Sequence, residues 1–155
     1  MVIIGVDPAI RKDGFAICLY DIINSTVDFK VMDFIDFILY IENLNPIDYI
    51  FCVENSNLQN LSFDMTGSKN IVARKSRNVG MNQAVSQLTC DLLKRHNFEV
   101  IELSPKEKGA KLTDAQVKIL MKYDKEVKNY KGLKGEQDKR DAYKLSLLGK
   151  SKKKL

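Results

Sequence analysis

Asp7, Glu54, Asp138 and Asp141 are the residues whose types and setting could do chemistry. Asp7 closes the apolar run Val2-Ile3-Ile4-Gly5-Val6 and is followed by Pro8. Glu54 closes a second run, Ile47-Asp48-Tyr49-Ile50-Phe51-Cys52-Val53, and is followed by polar Asn55-Ser56-Asn57. Asp138 and Asp141 lie three apart, on the helical face that also carries Ala142, Leu145 and Leu148. Four carboxylates brought close repel one another, which raises their pKa values unless cations neutralise them. Hard oxygen donors of this kind select Mg²⁺ or Mn²⁺ over zinc. Two such ions roughly 4 Å apart can activate a water and stabilise the leaving oxygen of a phosphodiester. Plainer readings stand beside this one. An aspartate after a strand can cap its own turn, and acids in the first turn of a helix are favoured by the helix dipole.

Cations accompany the acids. Lys69, Arg74, Lys75 and Arg77 fall within nine residues of the polar stretch 57–79, where Leu58, Leu61, Phe63 and Met65 precede them. The stretch reads as a loop, either simply solvated or one where cations meet phosphates and an apolar tip meets bases. Its length is unusual for a plain connection. Lys106, Lys108 and Lys111 crowd a second loop, after Ser104-Pro105.

The elements that must position these groups follow from the pattern. Val2–Val6 is a β-branched run that Pro8 ends, because proline lacks a donor and restricts its predecessor to extended geometry. Gly14 permits a return into a second strand, Phe15–Tyr20, and Thr26–Met32 alternates as a third. Residues 34–44 have helical spacing, closed by Asn45-Pro46. Residues 47–54 form the fourth strand and 98–103 the fifth. If the strands ending at Asp7 and Glu54 are parallel neighbours, both acids emerge at one sheet edge, where sites of α/β proteins lie. Further helices are expected over 82–95, 113–123 and 136–148, with a charged flexible connection over 122–135. The stripe Ala84, Val85, Leu88, Leu92 and Leu93 serves the core, a subunit interface or both.

The chain has 155 residues, 45% hydrophobic and 29% charged, which suits one soluble domain over 1–149 with a basic tail over 150–155. A net charge of +5 and a pI near 9.0 favour a polyanionic partner. No apolar run approaches the ~20 residues of a membrane span, and Asp7 interrupts what could be a signal sequence. Cys18, Cys52 and Cys90 are far apart in apolar runs and read as buried thiols in a reducing, cytoplasmic setting. His96 is the only histidine and lies at an expected helix C-terminus, so a histidine-based triad has one candidate only.

At the acid-bearing segments the chain resembles the RuvC family of Holliday junction resolvases, of the RNase H-like superfamily. The matching pieces are Ile4-Gly5-Val6-Asp7-Pro8 with Gly14-Phe15-Ala16, then Phe51-Cys52-Val53-Glu54, Gly80-Met81-Asn82-Gln83-Ala84, and Gln137-Asp138-Lys139-Arg140-Asp141-Ala142. Each is weak alone; their order and spacing along nearly the whole chain make the set fairly specific. The resemblance implies an α/β, RNase H-like fold with a five-stranded mixed sheet flanked by helices on both faces. It also implies a homodimer and paired Mg²⁺-dependent nicks across a four-way DNA junction. By position, Asp7, Glu54, Asp138 and Asp141 become the metal-binding catalytic acids. On that reading Asp7 would bridge two ions, Glu54 and Asp141 would hold one each, and Asp138 would complete the site. Lys106 stands where the family places a DNA-contacting lysine, and joins the catalytic set.

Three departures mark this chain. Ala9 replaces the family's usual glycine. Asp114 stands roughly where a second active-site lysine precedes a Gln-Val pair, here Gln116-Val117, with Lys111 as the substitute candidate. The loop after Glu54 lacks the family's aromatic cluster, leaving Phe63 as its one candidate wedge. Such divergence suits a phage or viral enzyme acting inside its host. Rival readings are a related nuclease preferring flaps, forks or RNA–DNA hybrids, and a junction-binding protein that does not cut. A sugar-kinase or actin-like ATPase shares the Gly-Val-Asp hairpin but needs a second domain and a later Gly-rich phosphate motif.

Overall fold

The computed structural model describes residues 1–9, 14–58, 66–132 and 135–154. A six-stranded mixed sheet runs through it in the order β5-β4-β1-β2-β3-β6. Its strands are β1 (Val2–Asp7), β2 (Phe15–Asp21), β3 (Thr26–Met32), β4 (Tyr49–Glu54), β5 (Glu99–Leu103) and β6 (Glu126–Lys128). β1 pairs antiparallel with β2, and β2 with β3, while β4 joins β1, β5 joins β4 and β6 joins β3 in parallel. The helices are α1 (Phe34–Glu42), α2 (Lys69–Arg95), the single turn α3 (Pro105–Lys108), α4 (Asp114–Met121) and α5 (Gln137–Lys153).

Period-two alternation divides the core between the two faces of the sheet. Ile4, Val6, Phe15, Ile17, Phe51 and Val53 pack with Phe37 and Ile41 of α1 and with Val85, Cys90 and Leu93 of α2. Their neighbours Ile3, Ala16, Cys18, Ile50 and Cys52 face the other way, beneath α4 and α5. Helices therefore flank both faces, as expected. Cys18, Cys52 and Cys90 are free and buried, and burial pushes the thiols of Cys52 and Cys90 up to about 12.

α5 lies unusually close to the centre of the sheet. A Cβ on Gly5 would come within 2.0 Å of the Ala142 carbonyl oxygen, and one on Gly149 within 3.0 Å of Cys52 Cβ. The two glycines let helix and sheet backbones approach, which sets α5 directly over β1.

Four expectations need correction. The sheet has six strands, not five, because residues 122–135 contain β6, which pairs with Thr26–Asp28. Three residues, Glu126-Val127-Lys128, are too short to show alternation. The stretch 57–79 is not a loop throughout: α2 begins at Lys69 and runs unbroken through Gly80. Residues 69–84 bury no side chain, so no apolar stripe announces the helix. Ser104-Pro105 opens the turn α3 rather than a plain loop. The Ser104 hydroxyl accepts from Glu107 N–H, and the Glu107 carboxylate accepts from Ser104 N–H. Finally, the basic end is not simply solvated. α5 continues to Lys153; Lys150 lies 4.8 Å from the Tyr20 ring centroid, and Lys152 pairs with Glu107 at 2.9 Å.

The Glu107 cap carries a prediction. Backbone donation from Ser104 and the Lys152 ammonium hold Glu107 down to about 2, below its ordinary 4.5. The carboxylate therefore stabilises the fold above about pH 4.5, and that contribution fades as pH falls toward 2. Melting curves of Glu107→Gln are expected to lie below wild type at pH 7 and to converge with it near pH 2.

Candidate metal and nucleic-acid site

Asp7 and Glu54 end adjacent parallel strands. Val6 is in register with Val53, so the two acids are next in line at one edge of the sheet. By alternation, Asp7 follows Ile3 and Gly5, and Glu54 follows Ile50 and Cys52, onto the α5 face. The first turns of α5 lie over that edge, because Ala142 sits against Gly5. This brings Asp138 and Asp141 to the same place. Asp141 is buried, while Asp7, Glu54 and Asp138 are intermediate in exposure.

Asp7 senses the other three acids. Burial is the main cause that pushes Asp7 up from 3.8 to about 7, and Glu54, Asp141 and Asp138 push it further; Lys108 pulls it down. Lys108 Nζ forms an ion pair with Glu54 Oε2 and lies 3.5 Å from Asp141 Oδ2. Lys111 Nζ lies 4.0 Å from the same Asp141 oxygen. Gln137 Nε2 donates to Asp141 Oδ1 at 2.9 Å, and Arg140 donates to Gln137 Oε1 at 3.0 Å, so Gln137 fixes the Asp141 carboxylate.

Above the acids opens a cleft of about 490 Å³. Asp7, Glu54 and Asp138 line its floor with Lys111, Pro8 and Ala9. Ser56 and the α2 residues Asn78, Met81, Asn82 and Ser86 complete the lining. The turn after β4 is tied to α2 by Asn57, whose Nδ2 donates to the Gln83 carbonyl at 2.7 Å. The Ser56 and Ser86 hydroxyls stand 3.3 Å apart.

The expected cations divide by position. Lys69, Arg74, Lys75 and Arg77 are exposed, on the part of α2 that buries no side chain. Arg74 and Lys75 precede cleft-lining Asn78 by four and three residues, so they continue its face of the helix. Phe63 lies outside the described residues. Lys106 is exposed, and Lys108, two residues on in the same helical turn, points the opposite way and into the acids. The buried lysine of this site is thus Lys108, which sequence reasoning gave only a DNA-contacting role. The Ser104-x-x-Glu107 spacing of a capping box was the available signal, since a helical turn sets Lys106 and Lys108 on different faces. Asp114 is away from the acids: it pairs with Lys118 at 2.7 Å and accepts from Tyr130 at 2.6 Å. Lys111, its suggested substitute, does reach the cleft. Sequence reasoning also missed Gln137 as an orienting group, and Asn78 and Asn82 as lining.

As the side chains stand, no three carboxylate, thiol or imidazole groups among the described residues form a cage tight enough for a metal ion. The donor chemistry nevertheless fits a hard divalent cation. The groups are all carboxylates, Glu54 Oε2 is buried with the Lys108 ammonium as its partner, and Asp7 is held near 7 by burial and its acidic neighbours.

Asp7 gives the site a pH signature. In chelator, the folded chain keeps a proton between about pH 4 and 7 that the unfolded chain has released. Stability therefore falls as pH rises through that window. The Asp7→Asn variant should lack this slope and be more stable than wild type at pH 8 by on the order of 2 kcal/mol, a value reduced for partial exposure. Chemical denaturation in EDTA at pH 5 and pH 8 checks it.

No helix among the described residues is long and apolar enough to cross a membrane. Comparison with known proteins gives no matching family model and no matching curated protein.

Proposed function

We propose that this chain is a metal-dependent endonuclease that cuts branched DNA, four-way junctions first among them, in the manner of the RuvC-type resolvases it resembles. One observation carries the reading: carboxylates from β1, β4 and α5 converge under a cleft whose wall continues into a basic, exposed helix. Asp7, Glu54, Asp138 and Asp141 are the residues that would hold Mg²⁺ or Mn²⁺. Such ions supply an activated water and a stabilised leaving oxygen for phosphodiester hydrolysis. The protein's own groups do the rest. Gln137 orients Asp141 through its amide donor. Lys111 sets a positive charge at the cleft floor, where it attracts a backbone phosphate. Arg74 and Lys75, with Lys69 and Arg77 beside them, extend that attraction along α2 and give binding its salt dependence. Ser56, Asn78 and Asn82 offer neutral donors and acceptors to the nucleotide between. Paired nicks across a symmetric junction need two such sites, hence two copies of the chain.

The experiment is cleavage of labelled four-way junction, flap, fork, linear duplex and RNA–DNA hybrid in competition, with Mg²⁺ and with EDTA. Mg²⁺-dependent nicks close to the branch of the four-way junction are expected, with linear duplex resistant. Preference for a flap, fork or hybrid would keep the chemistry and move the substrate. Junction binding without cleavage in either Mg²⁺ or Mn²⁺ would reduce the protein to a binding module.

A further inference from the structure

Lys108 is a built feature of the site rather than a surface lysine that happens to reach it. Its side chain is 9% exposed. Its backbone is fixed on both sides. The Ser104–Glu107 capping box locks the turn before it, and Glu107 is tied in turn to Lys152 of α5 at 2.9 Å. After it, Gly109 turns the chain at a φ of 69°, and Lys144 of α5 donates to the Ala110 carbonyl at 2.5 Å. So α5, which carries Asp138 and Asp141, also anchors the segment that aims Lys108. The ammonium then joins Glu54 Oε2 of β4 to Asp141 Oδ2 of α5, two carboxylates from different elements. Burying an ammonium and two carboxylates is costly unless each is paired. Here the lysine is the positive charge that offsets their repulsion.

We propose that Lys108 is an internal counter-ion that competes with divalent cations for Glu54 and Asp141, so that ions enter the site by exchange with its ammonium. The inference rests on the metal-ion reading of the four acids. An ammonium and a dehydrated divalent ion are both cations seeking the same oxygens, and they repel each other at such range. Exchange releases Nζ toward the cleft and needs no bond to form or break. It makes Lys108 a positioning residue: it holds Glu54 and Asp141 in place for an incoming ion and weakens that ion's affinity in doing so.

The test is Mn²⁺ binding followed by calorimetry and by electron paramagnetic resonance, on wild type, Lys108→Met and Lys108→Arg. The Met variant is expected to bind Mn²⁺ at least tenfold more tightly than wild type, and the Arg variant, which keeps the charge, within about threefold of it. A Met variant that folds only when Mn²⁺ is added also supports the exchange, since the ion then supplies the missing charge. In the wild type, acylation of Lys108 by a water-soluble ester, read by mass spectrometry, should speed up several-fold at saturating Mn²⁺. This measurement decides the matter if Lys108→Met does not fold at all. Equal Mn²⁺ affinity in wild type and Lys108→Met, or unchanged acylation on saturation, would overturn the exchange and leave the metal-ion reading intact. No Mn²⁺ binding by any of the three proteins would overturn both.

Discussion

Gly5→Ala is expected to cost about 3 kcal/mol or more of stability and to lower the melting temperature by on the order of 10 °C. The added Cβ would meet the Ala142 carbonyl oxygen at 2.0 Å and the Ser146 nitrogen at 2.6 Å, both backbone atoms. A flexible side chain could step aside from such a contact; a helix backbone must move as a unit. Relief of the clash therefore lifts α5 from β1 and takes Asp138 and Asp141 with it, away from Asp7 and Glu54. Metal binding and cleavage should fall further than the stability loss explains. Gly80→Ala is the control. Nothing lies within 4 Å of its would-be Cβ in the exposed half of α2, so it should gain about 0.5–1 kcal/mol from helix propensity. Thermal and urea denaturation of both variants measures the difference. A Gly5→Ala protein as stable as wild type would mean that α5 does not approach the sheet so closely.

Asp7→Asn should lower the rate of junction cleavage in Mg²⁺ by on the order of 10³-fold or more, with binding retained. The substitution keeps shape and removes the negative charge at the centre of the acid cluster. Asp7 is the acid that interacts with all three others and with Lys108. Junction affinity should hold or tighten, because one carboxylate fewer faces the phosphates. The loss should appear in single-turnover cleavage with junction saturated by protein, which separates chemistry from binding. Cleavage at the wild-type rate would remove Asp7 from the mechanism.

What the sequence disclosed and what it hid follow one physical rule. Buried apolar runs announce themselves, so Val2–Val6 and residues 47–54 were legible as strands, although Pro46–Asp48 forms a 3-10 turn and β4 starts only at Tyr49, and their terminal acids Asp7 and Glu54 were legible as edge groups. Their emergence at one sheet edge was conditional on parallel pairing of the two strands, and that pairing is observed. The helical spacing of Asp138, Asp141, Ala142 and Leu145 was equally readable, because Ala142 and Leu145 are buried. Elements that bury nothing leave no such mark. Lys69–Ala84 is helical without an apolar stripe, and β6 is three residues long with one partly buried valine. The direction of Lys108 depends on a four-residue helical turn, whose only trace in the sequence is the Ser104–Glu107 box. Close approach of α5 depends on the absence of a side chain at Gly5, which no periodicity can report.

The account rests on carboxylates from three elements acting together on divalent ions. Anomalous diffraction from a crystal soaked in Mn²⁺ tests that directly. Peaks are expected at the edge of β1 and β4, roughly 2.2 Å from carboxylate oxygens of Asp7, Glu54 and Asp141. Saturating Mn²⁺ that leaves this edge without a peak, or peaks only on scattered surface acids, would contradict it.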